Sequence, residues 1–215
     1  MTMRLNTGRS NQKERTRAAI VASAREAIAS GDEITMPDVA RRALVSEATA
    51  YRYFPDLASL LREALTGVWD SPEHAMAPVA GSDDPVERIG FATEVLLREV
   101  LSHQAAVRAL IAASVTKPAA AGVRPGRRIG LIDEALRPLS ATMAVRRPAE
   151  FEQLKRGLAV VVSAEALFSL TDLLGLAPEA AIASAAATAR ALTAAAIASA
   201  RAQPTCEYDS GIFPL

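Results

Sequence analysis

Residues 35–56 read TMPDVARRALVSEATAYRYFPD, and this stretch decides the fold. It predicts two short helices, because Thr35 and Ser46 each stand where a side-chain oxygen can cap the start of a helix. Asp38 places a negative charge near the positive end of the first helix, and Pro37 is tolerated in a first turn. Two short helices that a tight turn separates, with longer helices on either side, are typical of a helix-turn-helix unit.

Three aromatic residues fall within four positions at 51–54, although aromatic residues make up only 4% of the chain. Aromatic residues on one core-facing stripe would lie three or four positions apart, so these face different ways. We expect Ala50 and Phe54 to face the first helix and the core. The side that faces a DNA groove, with its edges, is expected to carry Thr49, Tyr51, Arg52 and Tyr53. A phenol offers an apolar face to a thymine methyl group and a hydroxyl to a phosphate. The alternative is that the tyrosines only seal a small three-helix core.

The rest of the chain alternates helix-length segments with short breaks and shows no strand-like alternation, which predicts an all-α fold. Besides the two short helices, the expected helices span residues 15–29, 57–69, 86–102, 104–115, 127–143, 148–174 and 178–202. The expected domains are a basic flexible arm at 1–14, a helix-turn-helix domain at 15–56, a larger helical domain at 57–202 and a tail at 203–215.

Composition narrows the class of protein. Hydrophobic residues make up 50% of the chain and charged residues 22%, which is typical of a globular protein. The single Cys206 cannot form an internal disulfide, and residues 1–10 lack the apolar segment of a secretory signal. Residues 181–200 are the most membrane-like, but Arg190 near their centre would cost roughly 2.5–3.5 kcal/mol in a bilayer. We therefore expect a cytoplasmic protein with no membrane partner.

Charge is balanced over the whole chain, with 24 basic and 24 acidic residues. The only local excess useful for function lies at residues 1–17, where Arg and Lys outnumber the single Glu14. Such a basic segment suits an arm that approaches DNA phosphates, although a solubilising tail explains it equally well.

Catalytic and metal-binding patterns are missing from the sequence. His74 and His103 have no cysteine or acid cluster at ligand spacing. There is no Gly-x-Ser-x-Gly, P-loop or dinucleotide fingerprint. The basic stretch at 122–128 could bind phosphate, but a solvated loop between helices is the simpler interpretation. We expect no enzyme activity, no metal and no cofactor.

The order Thr-Ala-Tyr-Arg-Tyr-Phe at 49–54, after the Thr35-capped helix and before Leu60-Leu61, resembles the DNA-binding domain of the TetR (tetracycline repressor) family. The resemblance covers about residues 15–65. It implies a homodimeric transcriptional regulator whose further helices form a divergent ligand-binding domain and whose last two long helices form the dimer interface. We expect a ligand-responsive repressor of an inverted-repeat operator. The alternatives are a helical dimer that binds a small molecule without DNA and a helical enzyme.

The resemblance also carries DNA contacts onto positions of this chain. The expected DNA-binding residues are Arg17, Thr35, Ser46, Glu47, Ala48, Thr49, Tyr51, Arg52 and Tyr53. The family often has a glycine in the turn where Leu44 stands, and a left-handed leucine is strained by roughly 1–2 kcal/mol. It also often has a phosphate-binding lysine where Leu57 stands, so that one contact is missing or comes from elsewhere, such as the basic arm.

Small residues on the last helix permit close helix approach, and with the helix before it they can form an intersubunit four-helix bundle. The expected interface residues are Phe151, Leu158, Asp172, Ile182, Ala185, Ala189, Leu192 and Ala196. The helix from Leu57 to Trp69 is expected to act as a lever that joins the two domains.

An effector site is harder to read from the sequence. The candidate residues are Trp69, Phe91, His103, Met143, Glu165 and Phe168, although aromatic residues at helical spacing are more often ordinary core. Glu165 lies in an apolar run and would need a partner if buried. That partner is either an interface arginine such as Arg190 or a cationic or hydroxylated effector.

Overall fold

The computed structural model describes residues 5–31, 33–116 and 126–202. Within these ranges the regular elements are helices and no strand is present, so the all-α prediction is confirmed. In chain order they are α1 (Leu5–Ser30), α2 (Met36–Arg42), α3 (Glu47–Tyr53), α4 (Leu57–Leu65), α5 (Pro72–Ala75), α6 (Pro85–Ser102), α7 (Gln104–Thr116), α8 (Arg127–Ala135), α9 (Met143–Arg146), α10 (Pro148–Val161), α11 (Ala164–Phe168) and α12 (Pro178–Ala202). The expected tail at 203–215 with Cys206, and most of the basic loop at 122–128, lie outside the described residues.

Two compact units divide the described residues. The first takes its residues from Met1–His74 and Leu97–Arg127, and the second takes its residues from Ala75–Leu96 and Arg128–Leu215. This division does not follow the domain boundary expected after residue 56, because α4 packs against α1 and α7 within the first unit. The boundary after residue 56 therefore stays a prediction of where the DNA-binding function ends, and it does not mark the edge of a packed unit.

The first unit has one core, which α1 to α4 share with α7. Its buried residues are Ile20, Val21, Ala24, Ala27, Ile28, Ile34, Met36, Val39, Ala40, Ala50, Phe54, Leu60, Leu61, Ala64, Leu65 and Ala106. The alanines matter because a methyl side chain lets helix backbones approach closely. Ala40 of α2 and Ala50 of α3 are at most 1% exposed, so the two short helices meet at small residues.

Two helix boundaries in the first unit differ from expectation. Helix α1 begins at Leu5, so residues 5–14 are helical and not the flexible arm we expected. Helix α4 begins as predicted, since the Ser59 amide donates to Asp56 Oδ1 at 2.7 Å. It ends at Leu65 and not at Trp69, because Thr66 is extended and Gly67 has a φ of +76°. The expected lever is therefore one turn shorter.

The second unit has its own buried core. Its apolar members are Met76, Ile89, Ala92, Leu96, Leu131, Ile132, Ala135, Leu136, Met143, Leu154, Leu158, Val162, Leu167, Phe168, Ala181, Ile182, Ala185, Ala186 and Ala189. Arg88 of α6 is fully buried among them and donates to the carbonyl oxygens of Val79 and Glu134, both at 2.7 Å. The arginine therefore supplies donors to helix ends that have none of their own.

Two long helices expected in the second unit are interrupted. The helix expected at 127–143 ends at Ala135 and is followed by a 3-10 turn that contains Pro138. The helix expected at 148–174 stops at Val161, and Ser163 then caps α11 by accepting from the Ala166 amide at 3.0 Å. A π-helical turn at Ser169–Leu173 follows.

Helix α12 spans Pro178–Ala202, as predicted, and is long and apolar enough to cross a membrane by length and composition. A core helix of a soluble protein passes the same test, so this single helix is weak evidence of a membrane protein. One stripe of α12 is buried within the second unit, where the helix packs against α10 and α11.

Candidate nucleic-acid interface

Thr35 caps α2 and is tied to Asp38. The Asp38 amide donates to Thr35 Oγ1 at 3.3 Å, and the Thr35 hydroxyl donates to Asp38 Oδ2 at 2.6 Å. This hydroxyl holds the pKa of Asp38 below its usual range, and the nearby charges of Arg41 and Arg42 lower it further. A phosphate contact from the Thr35 hydroxyl would have to replace its bond to Asp38.

The turn between α2 and α3 contains a strained residue. Leu44 has a φ of +54°, and no other residue in the described ranges except glycine has a positive φ. Its side chain is 92% exposed, so no packing offsets the left-handed backbone. The turn is closed by the Val45 amide, which donates to the Ala40 carbonyl at 3.0 Å. Leu44 is therefore left-handed, the case in which a leucine is strained by roughly 1–2 kcal/mol.

Ser46 begins α3 with two local hydrogen bonds. Its Oγ accepts from the Thr49 amide at 3.2 Å and donates to Thr49 Oγ1 at 2.9 Å. Glu47 and Ala48, the next two residues, are exposed. The predicted cap is confirmed, and it fixes the first turn of the helix that would enter a groove.

The faces of α3 are divided as the sequence predicts, except at Tyr53. Ala50 is fully buried and Phe54 is 2% exposed, so both face the core. Tyr51 is 48% exposed and Arg52 is exposed, so both are available to a partner. Tyr53 is half-buried and packs against the core, with the Arg52 guanidinium 5.7 Å from its ring centre. Tyr53 therefore helps to seal the core, whereas Tyr51 does not.

Arg17 is engaged inside the first unit. Its Nη1 donates to Glu63 Oε1 at 2.8 Å, its Nη2 lies 2.5 Å from Oε2, and its guanidinium lies 4.7 Å from the centre of the Phe54 ring. No local pattern indicates Glu63 as the partner of Arg17, because the two residues are 46 positions apart. Leu57 is partly buried against the same core, so the position where the family often has lysine contributes to packing here.

Residues 20–64 match the family model of the bacterial regulatory proteins, tetR family. This range contains the capped α2, the strained turn and the divided α3. The chain carries a TetR family DNA-binding domain. The matched domain supports a DNA-binding transcriptional regulator. Comparison with curated proteins and with solved structures found no match.

The candidate effector residues fall in both units. Trp69 and His103 lie in the first unit, where their rings meet edge to face with centroids 5.8 Å apart. The other four lie in the second unit, where Phe168 and Met143 are core residues. The side chain of Glu165 is 41% exposed and 3.7 Å from Arg128.

Arg190, the arginine named as one of two possible partners for a buried Glu165, is therefore not the arginine beside it. Arg190 donates instead to Glu94 at 3.1 Å, on α6. The apolar run around Glu165 misled the prediction, because α11 is a short helix whose buried face carries Leu167 and Phe168 while Glu165 stays at the surface.

A groove of about 520 Å³ lies along α10 and α12 in the second unit. It is lined by Met143, Ala149, Glu150, Gln153, Leu154, Gly157, Leu192, Ala196 and Ser199. A second groove of about 380 Å³, lined in part by Arg146, Arg147 and Ile197, shares Met143 with it. Met143 is the only expected effector residue that these two grooves contain.

Half of the expected dimer residues belong to the chain's own core. Leu158, Ile182, Ala185 and Ala189 are at most 3% exposed, so they cannot meet a second copy without leaving that core. This part of the expectation was wrong, because α12 carries small residues on every face and their spacing does not say which face turns inward. Asp172 is exposed, Leu192 is 38% exposed, and Phe151 and Ala196 are half-buried.

Among the residues that the structure describes, no group of three or more His, Cys, Asp or Glu side chains could hold a metal ion. Besides the Glu47 carboxylate, α2 and α3 expose hydroxyl, phenol and guanidinium groups, which donate to phosphates and base edges.

Proposed function

We propose that the protein is a cytoplasmic, ligand-responsive repressor that binds an inverted-repeat operator as a homodimer. The observation that carries this proposal is the division of α3, which buries Ala50 and Phe54 and exposes Tyr51 and Arg52. A short helix with this division can enter a major groove with its outer side chains while its inner ones hold it to the domain.

The outer residues of α3 have the chemistry that base edges require. The Arg52 guanidinium can donate two hydrogen bonds to a guanine, and the Glu47 carboxylate can accept one from a cytosine amino group. The Ala48 methyl and the Tyr51 ring can contact a thymine methyl group. Caps at Thr35 and Ser46 place the starts of α2 and α3 so that their free amides can face phosphates.

A homodimer is supported by the outward face of α12. This face carries small residues, namely Ala183, Ser184, Ala187, Thr188, Ala191, Ala195 and Ala198, beside the part-exposed Leu192. Small residues allow a second helix to approach closely. A two-fold dimer would present two copies of α3, and successive major grooves on one face of DNA repeat at roughly 34 Å.

Sedimentation of Leu192→Glu tests the dimer. We expect wild type to sediment as a dimer and Leu192→Glu as a monomer at the same concentration, because the new charge would be buried between copies. Ala141→Glu, which adds the same charge at an exposed turn, is the matched control and should stay dimeric. A wild-type protein that stays monomeric at micromolar concentration would refute the dimer.

The effector is proposed to be a small molecule that binds in the second unit. The groove along α10 and α12 has the volume of ordinary ligand sites, which is about 300–1,000 Å³. A ligand that prefers a dimer with misaligned recognition helices would weaken DNA binding by roughly 5- to 150-fold, which corresponds to a coupling of 1–3 kcal/mol. Gln153→Trp, at an exposed position that lines this groove, would fill it and should abolish the response without loss of DNA binding.

Selection of bound fragments from a random DNA pool tests the DNA-binding proposal. Wild type should enrich an inverted repeat, and the Tyr51→Ala/Arg52→Ala variant should not. Arg156→Ala, which removes one exposed cation from α10, is the matched control and should enrich the same repeat. Failure of the folded wild-type protein to enrich any sequence at low salt would leave a small-molecule-binding dimer as the better function.

A further inference from the structure

Arg17 of α1 is held by residues from two other elements. Its two terminal nitrogens face the two carboxylate oxygens of Glu63 on α4, at 2.8 and 2.5 Å. This is the bidentate geometry that a planar guanidinium makes and an ammonium cannot. The other side of the same guanidinium faces the Phe54 ring at 4.7 Å.

Phe54 fixes where the recognition helix ends. It is the C-cap of α3, and its amide donates to the Ala50 carbonyl at 2.9 Å. Its side chain is 2% exposed, and Tyr53 and Arg52 immediately precede it. A group that holds the Phe54 ring therefore sets the position of the last turn of α3 relative to α1.

Glu63 is a well-anchored acceptor. Its helix is held in the core by Leu60, Leu61 and Ala64, none of which is exposed. A second arginine of α1, Arg25, also joins the two helices, since its Nε donates to the Ala64 carbonyl at 2.9 Å and its Nη2 to the Thr66 carbonyl at 3.1 Å. Of these two links between α1 and α4, only the one through Arg17 reaches α3.

We propose that Glu63 and Arg17 are positioning residues for the recognition helix: Glu63 orients the Arg17 guanidinium, and the guanidinium holds Phe54 at the end of α3. Neither residue has to touch DNA for this role. The inference rests on the proposed DNA-binding function. It states that Glu63 on α4 contributes to operator affinity without a contact to DNA. The competing idea is that Arg17 contacts a DNA phosphate and that Glu63 competes with the phosphate for the guanidinium.

Glu63→Gln separates the two ideas by the sign of its effect. The amide has the size of the carboxylate but lacks its charge, so the fork with Arg17 weakens. Positioning predicts that operator affinity falls about threefold, since a part-exposed ion pair contributes about 0–1 kcal/mol. Affinity for random DNA and its salt dependence should not change, because no phosphate contact is lost. Competition for phosphate predicts tighter binding and a steeper salt dependence.

Arg17→Lys gives an independent reading. A lysine keeps the charge but makes neither the fork nor the same stacking on an aromatic ring. Positioning predicts weaker operator binding, whereas a simple phosphate contact predicts that binding is retained. Arg25→Lys is the matched control, because it weakens a link between α1 and α4 that does not involve Phe54, and operator affinity should stay at the wild-type value.

The experiment measures binding of the full chain to its selected operator and to random DNA over a salt series, at a temperature where circular dichroism shows every variant folded. If the wild-type protein selects no operator, the proposed DNA-binding function is refuted, and the positioning role is refuted with it. Wild-type operator affinity in Glu63→Gln, or tighter binding, would overturn the positioning role. Equal weakening on operator and random DNA would overturn it too, since general loss of structure explains that result.

Discussion

The Arg190 guanidinium of α12 lies against the backbone of Gly90 in α6, where a Cβ atom would overlap it. Glycine is needed at this position for the arginine to cross α6 and reach Glu94 at 3.1 Å. The lack of a side chain at Gly90 thus allows Arg190 to pair with Glu94.

Gly90→Ala is expected to change the free energy of unfolding by less than about 1 kcal/mol. The methyl group displaces the flexible end of Arg190 and breaks a part-exposed ion pair worth about 0–1 kcal/mol. Alanine in a helix offsets this by about 0.5–1 kcal/mol. In the Arg190→Ala background the same substitution should therefore be clearly stabilising. Urea denaturation of the four proteins of this cycle measures it, and equal effects in both backgrounds would contradict the contact.

Leu44→Gly is expected to raise the free energy of unfolding by about 1 kcal/mol, because the left-handed backbone at this position strains any residue with a Cβ atom. Leu44→Ala keeps the Cβ atom and is the matched control that should gain little. Thermal denaturation of both variants makes the comparison. A gain as large in the alanine variant would mean that removal of an exposed leucine, and not release of strain, is responsible.

Arg88→Met is expected to lower the free energy of unfolding by about 3–5 kcal/mol, since it breaks the ion pair of the buried guanidinium with the Glu134 carboxylate at 3.1 Å and removes the donor of the Val79 and Glu134 carbonyl groups. Arg137→Met is the control: it lies at the surface, also pairs with Glu134 at 3.5 Å, and should cost less than about 1 kcal/mol. Denaturant titration of the two variants measures the difference. Similar losses in both would show that the buried hydrogen bonds contribute little.

Thr35→Val is expected to raise the pKa of Asp38 toward its ordinary value of 3.8, because the hydroxyl that stabilises the charged carboxylate is removed. In the wild type the folded-state pKa is lowered, so this carboxylate stabilises the fold above pH 3.8 and loses that effect as the pH falls through the folded-state pKa. Titration of the Asp38 carboxyl by NMR in both proteins measures the shift. An unchanged pKa would assign the lowering to Arg41 and Arg42.

The parts of the fold that could be predicted from the sequence depend on local chemistry. Thr35, Ser46 and Asp56 each accept a hydrogen bond from an amide three residues on, so residue type and spacing suffice to predict the cap. The left-handed Leu44 did not follow from a cap, since only the glycine that the TetR family often has in this turn pointed to it.

The parts that could not be predicted depend on contacts between distant residues. Nothing near Arg17 in the sequence indicates that Glu63 will meet it, and nothing near Arg190 indicates Glu94. The inward face of α12 was also beyond prediction, because alanine occurs on both of its sides and carries too little area to favour one. Periodicity predicts a helix in such a segment without predicting its rotation.

Helix α3 has seven residues, and Ala50 is the only one that is fully buried. Most substitutions on the surface of α3 therefore leave the domain folded. The preferred DNA sequence can change in evolution faster than the helices that hold α3 in place. The anchoring residues, in contrast, lie on α1, α4 and the C-cap at Phe54. If α3 reads an operator as proposed, a library that randomises its outer positions alone is expected to yield folded proteins with new DNA preferences.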